Sequence, residues 1–157
     1  MLKPLPPRPS ALCAAHGFTL IELLVTLVVL GIVTAVAMPA FFDSIRKGRR
    51  SDAVAALAGV QQTQERWRAD NATYAGALSD LAMGSGSPAG YYTVTINAAD
   101  ASGYTLTASA VGGKSQDKDE SCKSMRVVLA AGNLSYSAKC GACDSFSSSD
   151  VQRCWNR

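Results

Sequence analysis

The chain has 157 residues, enough for one domain and an appendage. Charged residues make up 17% and the formal balance is only +3, too weak to argue for nucleic acid by itself. With one histidine, His16, and no nucleophile–base pattern, phosphate loop or paired carboxylates, catalysis lacks support. No enzyme activity, cofactor or metal is therefore expected.

The first 17 residues, MLKPLPPRPSALCAAHG, hold two basic side chains, four prolines and no apolar helix pattern. Phe18 to Phe42 follow, 25 residues whose only charge is Glu22. About 20 apolar residues suffice to cross a bilayer as a helix. A secretory signal runs from basic to apolar to a small-residue cleavage site. Here the small residue, Gly17, precedes the apolar run, so cleavage there would leave the membrane segment on the product. An uncleaved signal anchor with a disordered tail fits the pattern as well. A carboxylate at mid-helix costs about 2.5–3.5 kcal/mol on insertion scales. Near the helix end, Glu22 has the option of snorkelling to the interface. Thr26 and Thr34 need no special role, because a threonine hydroxyl bonds a carbonyl one turn back. Pro39 removes one helical hydrogen bond, which in its plainest form is a kink.

Past Pro39 the pattern changes. Ala53, Leu57, Val60, Gln64 and Trp67 fall at spacings of four, three, four and three, one stripe of an amphipathic helix. Arg49, Asp52, Gln62, Glu65 and Arg66 fill the other positions. The spacing predicts one helix from Phe18 to about Asp70, roughly 80 Å long at 1.5 Å per residue. Asn71 is its stop. Arg46, Lys47, Arg49 and Arg50 form a basic cluster just beyond the apolar span.

Tyr74 to Gly90 is irregular, with Leu78, Leu81 and Met83 as anchors and MGSGSPAG as a turn signal. Alternation at period two then begins. Tyr92, Val94 and Ile96 share one face. Tyr104, Leu106, Ala108 and Ala110 follow the loop NAADASG. Met125, Val127 and Leu129 come next, and AAGN turns into Leu134, Tyr136 and Ala138. Four strands at hairpin spacing make an antiparallel sheet over residues 91–138 with one covered face. The loop Gly112 to Ser121 is polar and expected to be mobile. Asn71-Ala72-Thr73 and Asn133-Leu134-Ser135 match glycosylation sequons, which occur often by chance.

Five cysteines complete the inventory: Cys13, Cys122, Cys140, Cys143 and Cys154. The last four suit two disulfides in an oxidising compartment, and four cysteines allow three pairings. If AAGN is a tight turn, Cys122 lies nearly opposite Cys140, leaving Cys143 for Cys154. A four-cysteine zinc site suits a reducing compartment better, and a thioredoxin-like CxxC lacks its fold context.

Gly17, Phe18, Thr19, Leu20, Ile21 and Glu22 resemble the class III leader junction of type IV prepilins. The resemblance implies an α+β pilin fold: a long N-terminal helix on a four-stranded antiparallel sheet with a disulfide-bonded C-terminal loop. It divides the chain into a leader (1–17), a membrane and filament-core helix (18–42) and a periplasmic head (43–157). Within the head, 43–70 is amphipathic helix and 139–157 the bonded tail. It implies cleavage between Gly17 and Phe18 by a prepilin peptidase that also N-methylates Phe18. The basic residues of this leader stand farther from Gly17 than is usual in the family. Glu22 matches the glutamate that meets a neighbouring subunit's N-terminal amine and sets axial register. That amine, with a pKa of about 8, is cationic at neutral pH. Gly31 and Pro39 stand where the family has helix weak points that unwind on assembly. The terminal Cys154-Trp155 implies the pairing Cys122–Cys154, with Cys140–Cys143 closing a short loop.

ADNATYAGALSDL, YYTVTI, GYTLTASA and the terminal CW resemble PilE-like minor pilins. The function so implied is a structural, minor subunit of a type IV pilus (a fimbrium), held in the inner membrane and then assembled. It would support pilus assembly, twitching motility and adhesion. Implied partners are other pilin subunits, the prepilin peptidase and the assembly machinery of the inner membrane. The positive-inside rule would put the basic cluster in the cytoplasm. The leader resemblance puts it outside, and the cysteines agree with the leader. The cluster suits lipid headgroups or acidic residues of neighbouring subunits, with DNA ranked behind both. The nearest alternative is a type II secretion pseudopilin. Another is a DNA-binding competence pilin, whose mark would be an exposed basic patch on the head. Lys114, Lys118, Lys123, Arg126, Lys139, Arg153 and Arg157 are the residues available for one, interleaved with acids.

Overall fold

In a computed structural model, residues 17–155 are described, and residues 1–16, read above as leader and including Cys13 and His16, lie outside them, as does Arg157. The chain divides into two compact units, Met1–Pro39 and Ala40–Arg157. Helix α1 spans Leu20–Asp70 and runs unbroken past Gly31 and Pro39.

In the first unit, the Thr19 hydroxyl accepts from the Glu22 backbone N–H at 3.2 Å and so caps the helix start. Thr26 and Thr34 donate to the Leu23 and Leu30 carbonyls at 2.8 and 2.7 Å. Leu20, Leu23, Leu27 and Leu30 are all exposed, and α1 is long and apolar enough to cross a membrane.

The second unit holds the rest of α1 and a four-stranded antiparallel sheet. The strands are β1 (Tyr92–Ala99), β2 (Gly103–Ala110), β3 (Ser124–Ala130) and β4 (Asn133–Lys139), adjacent in chain order. Sequential antiparallel neighbours make this a meander, with a longer connection between β2 and β3. The β1–β2 link is shorter than NAADASG suggests, because β1 runs to Ala99 through an irregularity between Ile96 and Ala98. The Asp100 carboxylate then closes the turn, accepting from the Ser102 and Gly103 N–H groups at 2.6 and 2.9 Å. Gly103 is needed here, since a Cβ would run into the Leu129 carbonyl. Ala131 and Gly132, at φ 47° and 78°, make the two-residue β3–β4 turn, whose twist matches that of the strands.

The stripe read from the sequence is the packed face. Ala53, Leu57, Val60 and Gln64 are buried, and Trp67 packs at the margin. They meet Tyr92, Val94, Leu106, Met125 and Val127 from the sheet. The stripe is only part of the interface, because Asp52, assigned to an outer position, is buried too. Asp52 accepts from the Ser87 hydroxyl at 2.5 Å and from the Ala89 and Tyr91 N–H groups at 2.8 and 3.2 Å. Gln64 donates to the Ala75 carbonyl at 2.8 Å and accepts from its N–H at 2.9 Å. These two side chains pin the irregular segment before β1 onto α1. Alone in water it would have no regular partner for its backbone.

The basic cluster is likewise not one surface. Arg50 is buried and makes a two-pronged ion pair with Asp119, at 2.7 and 2.8 Å, while its third nitrogen donates to the Arg153 carbonyl. Arg49 stacks 4.7 Å over Tyr91 and bonds the Ser115 hydroxyl. The loop expected to be mobile is thus anchored. It contains a 3-10 helix, Ser115–Lys118, and buries Gln116, whose amide donates to the Tyr92 hydroxyl at 2.8 Å.

Of the three pairings, the structure has Cys122–Cys154 and Cys140–Cys143, with Cα separations of 5.6 and 5.0 Å. The hairpin alternative fails on register: Ser124 faces Lys139, so one step further Cys140 faces Lys123 rather than Cys122. The tail adds a short helix α2 (Val151–Cys154). Trp155 ends the tail against Tyr136, ring centroids 4.8 Å apart, and donates to the Ser137 carbonyl.

Two outcomes follow. Arg50→Ala leaves a buried, unpaired Asp119 carboxylate, which typically costs about 3–5 kcal/mol; denaturant unfolding should show a loss of that order. Burial raises the Tyr92 hydroxyl above its ordinary 10.0, against a smaller lowering by Gln116. The folded state therefore holds that proton more tightly than the unfolded state. The associated stability is complete below pH 10 and lost as pH rises toward the raised value. Melting temperature should fall above about pH 10, and less steeply in Tyr92→Phe.

Candidate functional site

One face of the sheet covers α1 and the other faces away. By strand alternation, the outward positions include Thr93, Thr95, Thr105, Thr107, Ser109, Ser124, Arg126, Val128, Asn133, Ser135, Ser137 and Lys139. This face is rich in hydroxyls and carries two cations and no carboxylate. In β1 and β2 the signal is simple, since threonine alternates with buried apolar residues.

Arg126 and Lys139 are diagonal neighbours on β3 and β4, because Arg126 faces Ser137 and Ser124 faces Lys139. Arg126 is held in place. Its guanidinium carbon lies 3.5 Å from the centre of the Phe146 ring. Its Nε donates to the Thr107 hydroxyl at 3.4 Å, and that hydroxyl donates to Asn97 Oδ1 at 2.5 Å. Phe146 was missed by the sequence reading. It sits among serines in a segment without periodicity, so nothing marked it as covering a strand residue. Its place is set by the main chain. Ser147 and Ala138 exchange backbone hydrogen bonds at 2.9 and 3.0 Å, and Cys140–Cys143 closes the turn between them.

At one end of the head a polar cleft of about 510 Å³ is rimmed by Lys47, Lys118 and Arg153. None of these three has a carboxylate partner among the described residues. Arg46 and Arg50 also line the cleft but are paired with Asp43 and Asp119. Of the other cations named for a head patch, Lys114 donates to the Gly90 carbonyl at 2.6 Å. Lys123 pairs with Asp117 at 2.9 Å. That hydrogen bond lowers the Asp117 carboxyl and raises the Lys123 ammonium relative to their ordinary values. The cations whose side chains have no hydrogen-bond or ion-pair partner among the described residues are therefore Lys47, Arg66, Lys118, Lys139 and Arg153, with the clamped Arg126 among the sheet's hydroxyls.

The residues read as the processing and assembly site lie together at the start of the described chain. Gly17 and Phe18 precede the helix and are exposed, and Glu22 is in its first turn.

The apolar start of α1, the antiparallel meander and the disulfide-closed tail define the type IV pilin fold. Residues 13–38 match the prokaryotic N-terminal methylation motif. Residues 39–126 match the family described as "Type IV minor pilin ComP, DNA uptake sequence receptor", and the chain belongs to that family. It is a type IV minor pilin, a structural rather than an enzymatic class. The match ends within β3, so β4 and the bonded tail lie beyond it.

Proposed function

We propose that this minor pilin is a DNA receptor carried on a type IV pilus. DNA, ranked last when the chain was read as sequence, moves to first place. The observation that carries the reading is the family's description as a DNA uptake sequence receptor. The free cations support it. Lys118, Lys139 and Arg153 lack carboxylate partners among the described residues and can neutralise phosphates, while the hydroxyl face supplies uncharged donors. Twitching motility and adhesion would be shared properties of the pilus rather than the task of this subunit.

Delivery to the pilus follows the leader. Cleavage would fall between Gly17 and Phe18, removing residues 1–17, with methylation of the new Phe18 amine. Residues 18–42 would then anchor the chain in the inner membrane with the head, 43–157, in the periplasm. On assembly the same helix would enter the filament core. Glu22 would pair with the Phe18 amine of a neighbouring subunit: two charges that are each costly in an apolar setting remove one another's penalty and fix axial register. Gly31 and Pro39 would be the helix's yielding points, since proline lacks a donor and glycine weakens a helix. The partners are other pilins, the prepilin peptidase and the assembly machinery.

Two measurements test this. Intact mass of the chain from membranes should show loss of Met1–Gly17 and gain of one methyl; an uncleaved chain would return Glu22 to a snorkelling residue. The processed full chain in detergent should bind duplex DNA with an affinity that falls steeply with salt, at a log–log slope of about −0.9 per phosphate contacted. Lys118→Ala and Lys139→Ala should each reduce that slope by about 1. A flat salt dependence, or no binding, would remove the DNA reading.

A further inference from the structure

Arg126 differs from the free cations of the head, and unlike Arg49, which is also stacked on a ring and bonded to a hydroxyl, it stands on the outer face of the sheet. Lys47, Lys118, Lys139 and Arg153 have no hydrogen-bond or ion-pair partner among the described residues, so each carries its charge on an unrestrained side chain. Arg126 is fixed on two sides, by the Phe146 ring at 3.5 Å and by the Thr107 hydroxyl at 3.4 Å. Its Nη1 and Nη2 groups have no acceptor among the described residues. No carboxylate stands on its face of the sheet. The result is a planar pair of donors with a fixed plane on a surface rich in hydroxyls.

A fixed plane is unnecessary for holding a phosphate. A mobile cation does that at less cost in side-chain entropy, and Lys139 stands diagonally beside Arg126 to do it. A fixed plane is useful where the acceptors themselves lie in a plane and wrong ones must be refused. The guanine edge in the major groove is such an acceptor pair, O6 and N7, and arginine is its usual bidentate partner. Holding the guanidinium beforehand removes ordering cost from the bound state. We propose that Arg126, held flat by Phe146, reads a guanine in the major groove of the bound duplex. This rests on the DNA-receptor reading. It makes Arg126 the base-reading residue and Phe146 its positioning residue. The Cys140–Cys143 loop and the Ala138–Ser147 pairing hold Phe146 in place.

The test is selection from a random-sequence duplex library with the processed full chain, beside Arg126→Lys and Phe146→Leu. Both variants change side chains on the outer face, and thermal melts of each should match the parent. The parent should enrich a motif containing guanine. Arg126→Lys keeps the charge but loses the planar fork. It should lower affinity for the enriched duplex roughly 5- to 150-fold, the span of 1–3 kcal/mol, and flatten the preference at one guanine. Its affinity for unselected duplexes should stay within about twofold. Phe146→Leu keeps an apolar cover without the ring and should weaken the same preference in part, at unchanged salt slope. Enrichment with every preference intact in Arg126→Lys would overturn the proposal. So would a loss of equal size for all duplexes, which marks a backbone contact. A parent that binds all duplexes alike would overturn it and leave the DNA reading standing. A parent that binds none would end both.

Discussion

Arg50 meets Asp119 where three separate stretches of the head converge. The guanidinium comes from α1 and the carboxylate from the loop between β2 and β3. The Arg153 carbonyl that takes the remaining donor comes from the tail. Asp119 also accepts from the Cys122 N–H at 3.2 Å. A buried pair of this kind contributes little net free energy, because desolvation offsets most of the attraction. What it imposes is position. Neither charge tolerates burial away from the other, so the loop can lie on the helix in only one place. That place sets Cys122 beside Cys154, and the disulfide then holds the tail to the sheet.

The same constraint separates the two faces of the sheet. Toward α1 the strands present Tyr92, Leu106, Met125 and Val127, which close over Leu57 and Val60. Away from α1 they present threonine and serine, two cations and the Arg126–Phe146 stack. A sheet covered on one side alternates in this way by necessity. The proposed DNA contact uses the uncovered side, where side chains are free of packing demands. Its unpaired lysine, Lys139, and its clamped arginine have different capacities. The first can follow a phosphate backbone wherever it runs, and the second can discriminate between acceptors.

The apolar half of α1 obeys a separate demand. Leu20 to Phe42 expose large side chains along their length. Soluble proteins rarely keep so large an apolar surface uncovered. A membrane would cover it, and so, in the proposed reading, would the core of a filament. Among the described residues nothing in the head has this character, so head and helix are chemically distinct along one chain.

Local pattern alone carried the long helix, the Ala53–Leu57–Val60–Gln64 stripe, the four strands and the pilin junction at Gly17–Phe18–Glu22. Each depends on periodicity, or on a contiguous motif, that survives without tertiary context. Apart from the Cys122–Cys154 bridge, which the family resemblance implied, the side-chain pairings between distant segments were illegible. Asp52 read as lying off the packed stripe, and Arg50 as part of a cluster for lipid or neighbouring subunits, because their partners, Ser87 and Asp119, lie 35 and 69 residues away. The β2–β3 loop read as mobile because its anchors are on α1. Phe146 carried no pattern, yet a two-residue backbone pairing places it on Arg126. The sequence by itself determined which residues can be helix, strand, membrane and leader, since those preferences are local. The tertiary structure decided which charges are buried, which cations are free and which arginine is held flat, because burial and pairing exist only once remote segments meet.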